Sequence, residues 1–327
     1  MSRMPLGWVG TSVRFAVVRS DGRRQTRVRP GCRVRLDPCM AIVMSTPSID
    51  GLAGVVEVVR EWQVDGVPVQ LHPGDLGWHW RFGPEATAAA VRFWSRDRRV
   101  LAVGLVDSRR LLRLAIAPEA EHDDELASQM AADVSRPERG VLPEGNVSIE
   151  ARFGASFRQL LTSAGWEADE PWTPLQRDLT GPVEDCGLRV EVIGPERANV
   201  RAEVQRAAFD RSTFTEKRWH AMARGPAYGD ARCLVVHDGH DTPVAVATAW
   251  SAGRGRPGLL EPVGVHRDHR GRGYGTAITV AAAATLRELG SSSAFVCTAS
   301  SNARAVATYV SAGFRQLPDV EDLRRTA

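Results

Sequence analysis

A glycine-rich stretch between an apolar strand and a helix constrains this 327-residue chain more than any other feature. Residues 259–265 read Leu-Leu-Glu-Pro-Val-Gly-Val and predict a strand. The alanine-rich segment from Thr276 to Leu289 predicts a helix that stops at Gly290. The loop between them reads Arg270-Gly271-Arg272-Gly273-Tyr274-Gly275. Free N–H groups and the helix dipole favour an anion at a helix start, so the pattern predicts a phosphate-binding loop.

Two common phosphate-binding loops do not fit this stretch. A Walker loop needs a lysine, and the single lysine of the chain is Lys217. A dinucleotide fingerprint would place its third glycine at Thr276, where only about 50 residues remain, too few for a Rossmann domain.

A second motif follows the loop by about 30 residues. The predicted strand Ala-Phe-Val-Cys-Thr-Ala leads into residues 301–314, which predict a helix capped by Ser301 or Asn302 and closed by Gly313. Ala305 and Tyr309 are four residues apart and share one helix face. Together, the two motifs resemble the signature motifs of the GNAT superfamily of acyl-CoA-dependent N-acetyltransferases, and the resemblance covers residues 187–327.

The resemblance implies acetyl-CoA as co-substrate, with direct transfer of its acetyl group to a primary amine in a ternary complex. The loop would hold the pyrophosphate, the strand 262–265 would pair with the pantetheine arm and polarise the acetyl carbonyl, and Tyr309 would protonate the departing thiolate. The cofactor-binding residues implied are Val263, Gly264, Val265, Arg270, Gly271, Arg272, Gly273, Tyr274, Gly275, Thr276, Asn302 and Ala305.

The amine acceptor needs a base and a pocket. Glu261 opens the strand that would face the acceptor cleft and is the candidate base, directly or through water. Its alternative is a strand-end carboxylate in a salt bridge. Tyr228 and Trp250 are candidate acceptor-pocket residues, and core packing is the alternative for Trp250.

An internal repeat relates the two halves of the chain. Residues 163–166 read Ser-Ala-Gly-Trp, and residues 311–314, which lie 148 positions later, read Ser-Ala-Gly-Phe. The same offset aligns the end of the apolar run LLRLAIA with Val265. We therefore expect an α/β (α+β) fold of two GNAT-like domains, 44–180 and 187–327, each a mixed central sheet flanked by helices.

The first repeat lacks the residues that carry the chemistry. Its loop, residues 119–125, contains five carboxylates where the second repeat has arginine and glycine, and like charges at a pyrophosphate site repel it. Leu161 stands at the position of Tyr309, and Gly154 at that of Asn302. We expect the first half to complete the acceptor cleft or an interface. Its Trp78 and Trp80 alternate as on a strand.

Residues 1–43 differ in composition from the rest of the chain. They carry nine arginines and two aspartates, a balance of +7, whereas the chain as a whole carries +3. The segment could be a basic arm, a β-hairpin around Asp21-Gly22, or an upstream leader with Met44 as the true start. The leader is favoured, so deleting residues 1–43 is expected to leave folding and activity intact. A helix capped by Ser48 or Asp50 is expected after Met44.

Composition excludes several classes of protein. Five scattered cysteines without a CxxC pair argue against a disulfide framework, and a reduced, cytoplasmic protein is expected. No metal-ligand spacing, membrane-spanning run or signal peptide is apparent. The expected partner is a small-molecule or peptide amine; a homodimer is possible and nucleic acid is disfavoured.

Three other functions remain open at this point. One is a non-catalytic acyl-CoA-binding or scaffold protein with a GNAT fold. Another is a nucleic-acid binder built on residues 1–43. Within the enzymes, tandem GNAT proteins include mycothiol synthases, but no residue here specifies that acceptor.

Overall fold

The computed structural model describes residues 41–326. Most of the expected leader, residues 1–40, lies outside the described residues. Ile42 is buried, however, and Val43 begins the first strand, where it pairs with Ser95. The expected boundary after residue 43 therefore cuts into the folded part, and a deletion of residues 1–43 would remove part of an edge strand.

Nine helices lie within the described residues. They are α1 (Leu52–Glu61), α2 (Pro73–His79), α3 (Pro84–Ala90), α4 (Asp124–Ser135), α5 (Ala155–Ser163), α6 (Ala198–Ala208), α7 (Glu216–Ala223), α8 (Tyr274–Glu288) and α9 (Ala303–Ser311).

Thirteen strands of the same region join one sheet. They are β1 (Val43–Ser45), β2 (Val91–Arg96), β3 (Arg99–Ser108), β4 (Leu111–Ile116), β5 (Val147–Glu150), β6 (Glu167–Asp178), β7 (Val190–Val192), β8 (Ala231–His237), β9 (Pro243–Trp250), β10 (Gly258–Val265), β11 (Ser293–Ala299), β12 (Arg315–Gln316) and β13 (Val320–Arg325).

The sheet is mixed and continuous from one end of the molecule to the other. Its order is β1-β2-β3-β4-β5-β13-β6-β11-β10-β9-β8-β7, with β12 paired to β6. β4 pairs with β5 and β10 with β11 in parallel, and the remaining pairs are antiparallel. The α/β class with a central mixed sheet flanked by helices is thus confirmed.

The internal repeat is visible in the positions of the elements. Helices α5 and α9 begin and end 148 residues apart, and β4 shifted by 148 falls within β10. The predicted helices after the glycine loop and after Asn302 correspond to α8 and α9. The order of elements is therefore the same in both halves around these landmarks.

The two halves exchange their last strands. Residues 172–178 of β6 pair with β11 of the second half, and β13 of the second half inserts between β5 and the start of β6. These two strands occupy corresponding positions, because Trp172 shifted by 148 is Val320. The sequence repeat did not indicate this exchange, which depends on long-range pairing. It makes the linker around residues 180–187 a connection between interleaved halves.

Helices α1 and α2 of the first half pack on the second half. A Cβ on Gly77 would lie 2.4 Å from a ring carbon of Trp250, so the glycine allows the α2 backbone to lie directly on the indole. The strand expected around Trp78 and Trp80 was wrong, since Trp78 lies in α2 and Trp80 in the following 3-10 turn. The N-cap of α1 is Gly51, not Ser48 or Asp50.

Candidate active site

A slot opens between β10 and β11, where the two parallel strands separate. They pair only at Gly258 and Leu259, whereas β10 stays paired with β9 as far as Val265. A register shift between Leu260 and Val263 interrupts the β9 pairing. His266 donates its N–H to the carbonyl of Val244, so strand alternation directs the N–H groups of Val263 and Val265 to the open edge.

The open edge leads to the N-terminus of α8. Gly271 and Gly273 have φ angles of +77° and +82°, which glycine adopts without strain. Gly273 is the N-cap, and no side-chain hydrogen bond caps this helix. Tyr274, Gly275 and Thr276 form its first turn, whose N–H groups lack intrahelical acceptors. The loop predicted from the sequence is thus exposed and leads directly into the start of a helix.

The two loop arginines differ in their contacts. Arg270 donates from Nη2 to the carbonyl of Ala208 at 2.7 Å and so binds the C-terminal end of α6. Arg272 is exposed. Gly264 also meets this end of α6, because a Cβ there would lie 2.6 Å from the Phe209 ring. The loop and the strand are therefore both anchored on α6.

Helix α9 lies on the other side of the slot. Asn302 is its N-cap, and its Oδ1 accepts from the N–H of Ala305 at 3.2 Å, so the amide NH₂ remains as a donor. Ala305 is half-buried and Tyr309, one turn further, is buried. Burial raises the pKa of Tyr309 to about 12, with smaller contributions from Cys297 and Glu261. The phenol is therefore protonated at neutral pH.

Glu261 is fixed through its backbone by Trp250. The indole Nε1 donates to the Glu261 carbonyl at 2.7 Å, and Trp250 itself is 1% exposed beneath α2. Trp250 is expected to line the acceptor pocket, but its side chain is covered by α2 and packs in the core. Its ring also contacts Tyr228 edge-on at 6.1 Å between centroids, and burial raises the pKa of the Tyr228 phenol.

The first half brings an arginine to Glu261. Arg113 Nη2 lies 3.7 Å from Glu261 Oε1, and the same guanidinium contacts three carboxylates of its own half, those of Asp75 (3.0 Å), Asp107 (3.3 Å) and Glu150 (3.6 Å). Burial opposes the charge of Arg113, but these four carboxylates outweigh it and raise the pKa of the guanidinium.

A second arginine extends this cluster toward the half-buried thiol of Cys297 in β11. Arg152 lies 3.3 Å from Glu150 and 3.7 Å from Asp322. Burial raises the pKa of the Cys297 thiol to about 11. Sequence reasoning missed Arg113; the signal that could have found it is its position, 148 residues before Glu261.

Aromatic side chains from both halves meet beside α6 and α7. Trp78 stacks on Phe214 with 5.2 Å between centroids, and Arg81 lies over the rings of Trp78 and Phe82. Arg218 of α7 also lies over the Phe82 ring, at 5.1 Å. The first half thus forms a wall on the side of the sheet that carries Trp250.

The corresponding slot of the first half is filled by the chain itself. Leu71 donates its N–H to the carbonyl of Leu114, and the side chain of Gln70 exchanges two hydrogen bonds with the backbone of Ile116, at 2.8 and 3.2 Å. The β4 edge that matches the open edge of β10 is therefore hydrogen-bonded.

The helix start in the first half is filled as well. Asp123 caps α4 by accepting from the N–H of Leu126 at 2.9 Å, and Arg96 binds Asp123 and Glu125. The hydrogen bond from Arg96 is the main cause that lowers the pKa of Asp123. The acidic loop of this half is thus partly neutralised, and one of its carboxylates occupies the anion position.

Neither a metal cluster nor a membrane span is found between residues 41 and 326. No group of three or more histidine, cysteine or acidic side chains there is arranged to hold a metal ion. No helix in this region combines the length and apolar character that crossing a bilayer requires.

The model of the acetyltransferase (GNAT) family matches residues 198–314, which include the slot, the glycine loop and Tyr309. This chain carries a GNAT acetyltransferase domain. Acetyl transfer is therefore its general activity. None of the curated protein sequences matches the chain.

Solved structures share the fold over most of the chain. A tandem GNAT protein from the clavulanic acid biosynthesis pathway has a TM-score of 0.57 at 14% identity, covering 87% of this chain and 98% of its own. A GCN5-related N-acetyltransferase from Sphaerobacter thermophilus has 0.53 at 17% (87% and 95%), and a GNAT-family acetyltransferase from Colwellia psychrerythraea 0.52 at 15% (86% and 98%). At these identities the likeness concerns the fold alone.

Proposed function

We propose that the chain transfers an acetyl group from acetyl-CoA to a primary amine by direct attack in a ternary complex, and that residues 187–327 carry the chemistry. The observation that carries this proposal is the contrast between the two slots. Within residues 41–326, the open edge of β10 has no hydrogen-bond partner and no side chain caps α8, whereas Gln70, Leu71 and Asp123 fill the corresponding positions of the first half.

The residues of the open slot suit this co-substrate. The first turn of α8 and the guanidinium of Arg272 would receive the pyrophosphate, because free N–H groups at a helix start favour an anion. The N–H groups of Val263 and Val265 would pair with the pantetheine arm or face the acetyl oxygen, where negative charge develops. Asn302 would donate its amide NH₂ to the pantetheine region.

The transfer requires one proton to be given to the thiolate and one to be taken from the amine, and two side chains would do this. Acetyl-CoA supplies an acetyl thioester whose carbonyl carbon forms a bond to the amine nitrogen while its bond to sulfur breaks. Tyr309, whose phenol is protonated at neutral pH, donates its proton to the departing thiolate. Glu261 accepts the proton that the amine loses, directly or through water.

The acceptor would enter between the two halves, beside the aromatic wall of Trp78, Phe82 and Phe214. Tyr228, whose ring contacts Trp250 edge-on, would line the acceptor pocket. Trp250 would act through packing and through its hydrogen bond to the carbonyl of Glu261. Cys186, Cys233 and Cys297 are free thiols, which suits a reducing, cytoplasmic location.

Thiol release from acetyl-CoA against a panel of amines tests the proposal. The panel would contain small amines, aminoglycosides, amino acids and peptides with free N-termini. We expect the parent protein to turn over at least one of these amines, and we expect Tyr309→Phe to lose that turnover. Binding of acetyl-CoA without turnover would instead identify a non-catalytic acyl-CoA-binding protein, and absence of binding would overturn the proposal entirely.

A further inference from the structure

We infer that Arg113, in the half without a free cofactor slot, is a positioning residue for Glu261 and makes that half part of the active site. The inference rests on the proposed function, since Glu261 is the proposed base there. It assigns to the first half a function beyond closing the acceptor cleft.

The geometry of Glu261 is the first argument. Its carbonyl is held by Trp250 Nε1 at 2.7 Å, and its carboxylate is approached by Arg113 Nη2 at 3.7 Å. The side chain is about a quarter exposed, so part of it remains accessible. The backbone hydrogen bond and the ion pair together restrict the orientation of the base relative to the acceptor amine, and small displacements of such groups are costly for rate.

The surroundings of Arg113 are the second argument. Within its own half, Nη1 of Arg113 donates to Asp75 and lies near Glu150, and its Nε lies near Asp107. Asp75 is itself fixed, because its Oδ2 accepts from the N–H of His72 at 2.6 Å. The bond to Asp75 and the surrounding carboxylates therefore limit the movement of the arginine, whose Nη2 lies within ion-pair distance of Glu261.

The repeat relationship is the third argument. Arg113 and Glu261 are 148 residues apart, the offset that relates the landmarks of the two halves. Each lies on the strand that borders its slot, β4 and β10, and the two strands bring them together. The position that carries the proposed base in one half carries its cationic partner in the other.

A double-mutant cycle tests the inference. We expect Arg113→Lys to lower kcat for thiol release roughly tenfold and Arg113→Met roughly 100-fold, with the KM for acetyl-CoA unchanged. In a Glu261→Gln background both substitutions are expected to change kcat less than about twofold, because their effect passes through Glu261. The assay uses the fastest amine of the panel, or water as acceptor where no amine exceeds it.

Arg152→Lys is the matched control. Arg152 belongs to the same buried cluster through Glu150 and Asp322 but has no ion pair with Glu261. Its kcat is expected to stay within about twofold of the parent. Should Arg113→Met fail to fold, Arg113→Lys alone completes the cycle, with melting temperatures recorded for every variant.

Two results would overturn the inference while leaving the proposed function intact. One is an equal loss of kcat from Arg113→Lys with Glu261 present or replaced. The other is an equal loss from Arg152→Lys. Loss of acetyl-CoA binding by the unaltered chain would instead overturn the proposed function, and the inference with it.

Discussion

Asp123 accepts a hydrogen bond from the backbone N–H of Leu126 at 2.9 Å, at the start of the helix that corresponds to α8. In α8 itself the N-cap is Gly273, which has no side chain to make such a bond. A carboxylate and a phosphate compete for the same position at a helix N-terminus. The difference between Asp123 and Gly273 therefore distinguishes a helix start that is already filled from one that can receive a ligand.

We predict that the parent chain binds one molecule of acetyl-CoA and that the Gly273→Asp variant binds none. A Cβ at Gly273 meets nothing within 4 Å, so the new carboxylate can reach the helix start without a clash. The positive φ makes the substitution strained by roughly 1 kcal/mol. Isothermal titration calorimetry would give the stoichiometry, with Gly229→Asp, also in open space, as the control for an added charge. Two sites per chain would contradict the prediction.

The glycine loop and the helix cap could be predicted from the sequence because both are local features. The loop from Gly271 to Gly275 needs particular backbone conformations, and Asn302 caps the helix that carries Tyr309. Glycine and cap positions of this kind are visible in one stretch of chain.

The contacts between the halves could not be predicted in the same way. Placing Arg113 beside Glu261 depends on how two distant strands pack, and the exchange of β13 depends on a pairing with β5 across about 170 residues. The filling of the first slot by Gln70 was equally hidden, because no motif marks a glutamine that bonds to a strand edge. The alternation of Trp78 and Trp80 predicts a strand, but Trp78 lies in α2 and Trp80 in the 3-10 turn that follows it.

Tyr309→Phe is predicted to lower kcat roughly 100-fold or more while the affinity for acetyl-CoA stays within about twofold. The phenol loses only its hydroxyl, so packing against Phe314 is retained. Because the pKa of Tyr309 is raised to about 12, the kcat of the parent enzyme is expected to show no loss from this group between pH 7 and pH 10. Pre-steady-state thiol release would measure the rate, and titration with acetyl-CoA would measure the affinity. Unchanged turnover would exclude the acid role.

Asp322→Asn is predicted to stabilise the protein at neutral pH. Burial, followed by the neighbouring Glu150, raises the pKa of Asp322 to about 6. As the pH rises, Asp322 therefore ionises at a lower pH in the unfolded chain than in the folded protein. The stabilising contribution of the protonated carboxyl is therefore present below about pH 4 and lost by about pH 6. The substitution is expected to recover up to about 3 kcal/mol at pH 7.

The measurement is urea unfolding at pH 4 and pH 7. Glu321→Gln is the control, because Glu321 is the exposed neighbour on the same strand. A gain for Asp322→Asn that is the same at both pH values would contradict the assignment, since the effect would then not come from ionisation.

Leu323→Ala is predicted to destabilise the whole molecule through the exchanged strand. Leu323 is 5% exposed and pairs with Ile149 of β5, so its side chain packs into the core of the first half. Removing a buried leucine costs about 2–5 kcal/mol. Calorimetry is expected to show one transition at a lower temperature. Val310→Ala, at a site 48% exposed, is the control. Two transitions of which only one shifts would show that the halves unfold independently.

Gly77→Ala is predicted to weaken both stability and turnover with the amine. Alanine favours a helix over glycine by roughly 1 kcal/mol, so any loss of stability must come from contact with Trp250, whose ring carbon would lie 2.4 Å from the new Cβ. The expected cost is about 1–3 kcal/mol. Since Trp250 holds the carbonyl of Glu261, a displaced indole should also lower kcat more than it changes acetyl-CoA binding. Gly181→Ala, with no atom near its Cβ, is the matched control. Full activity in Gly77→Ala would show that the docking of α2 on Trp250 does not position Glu261.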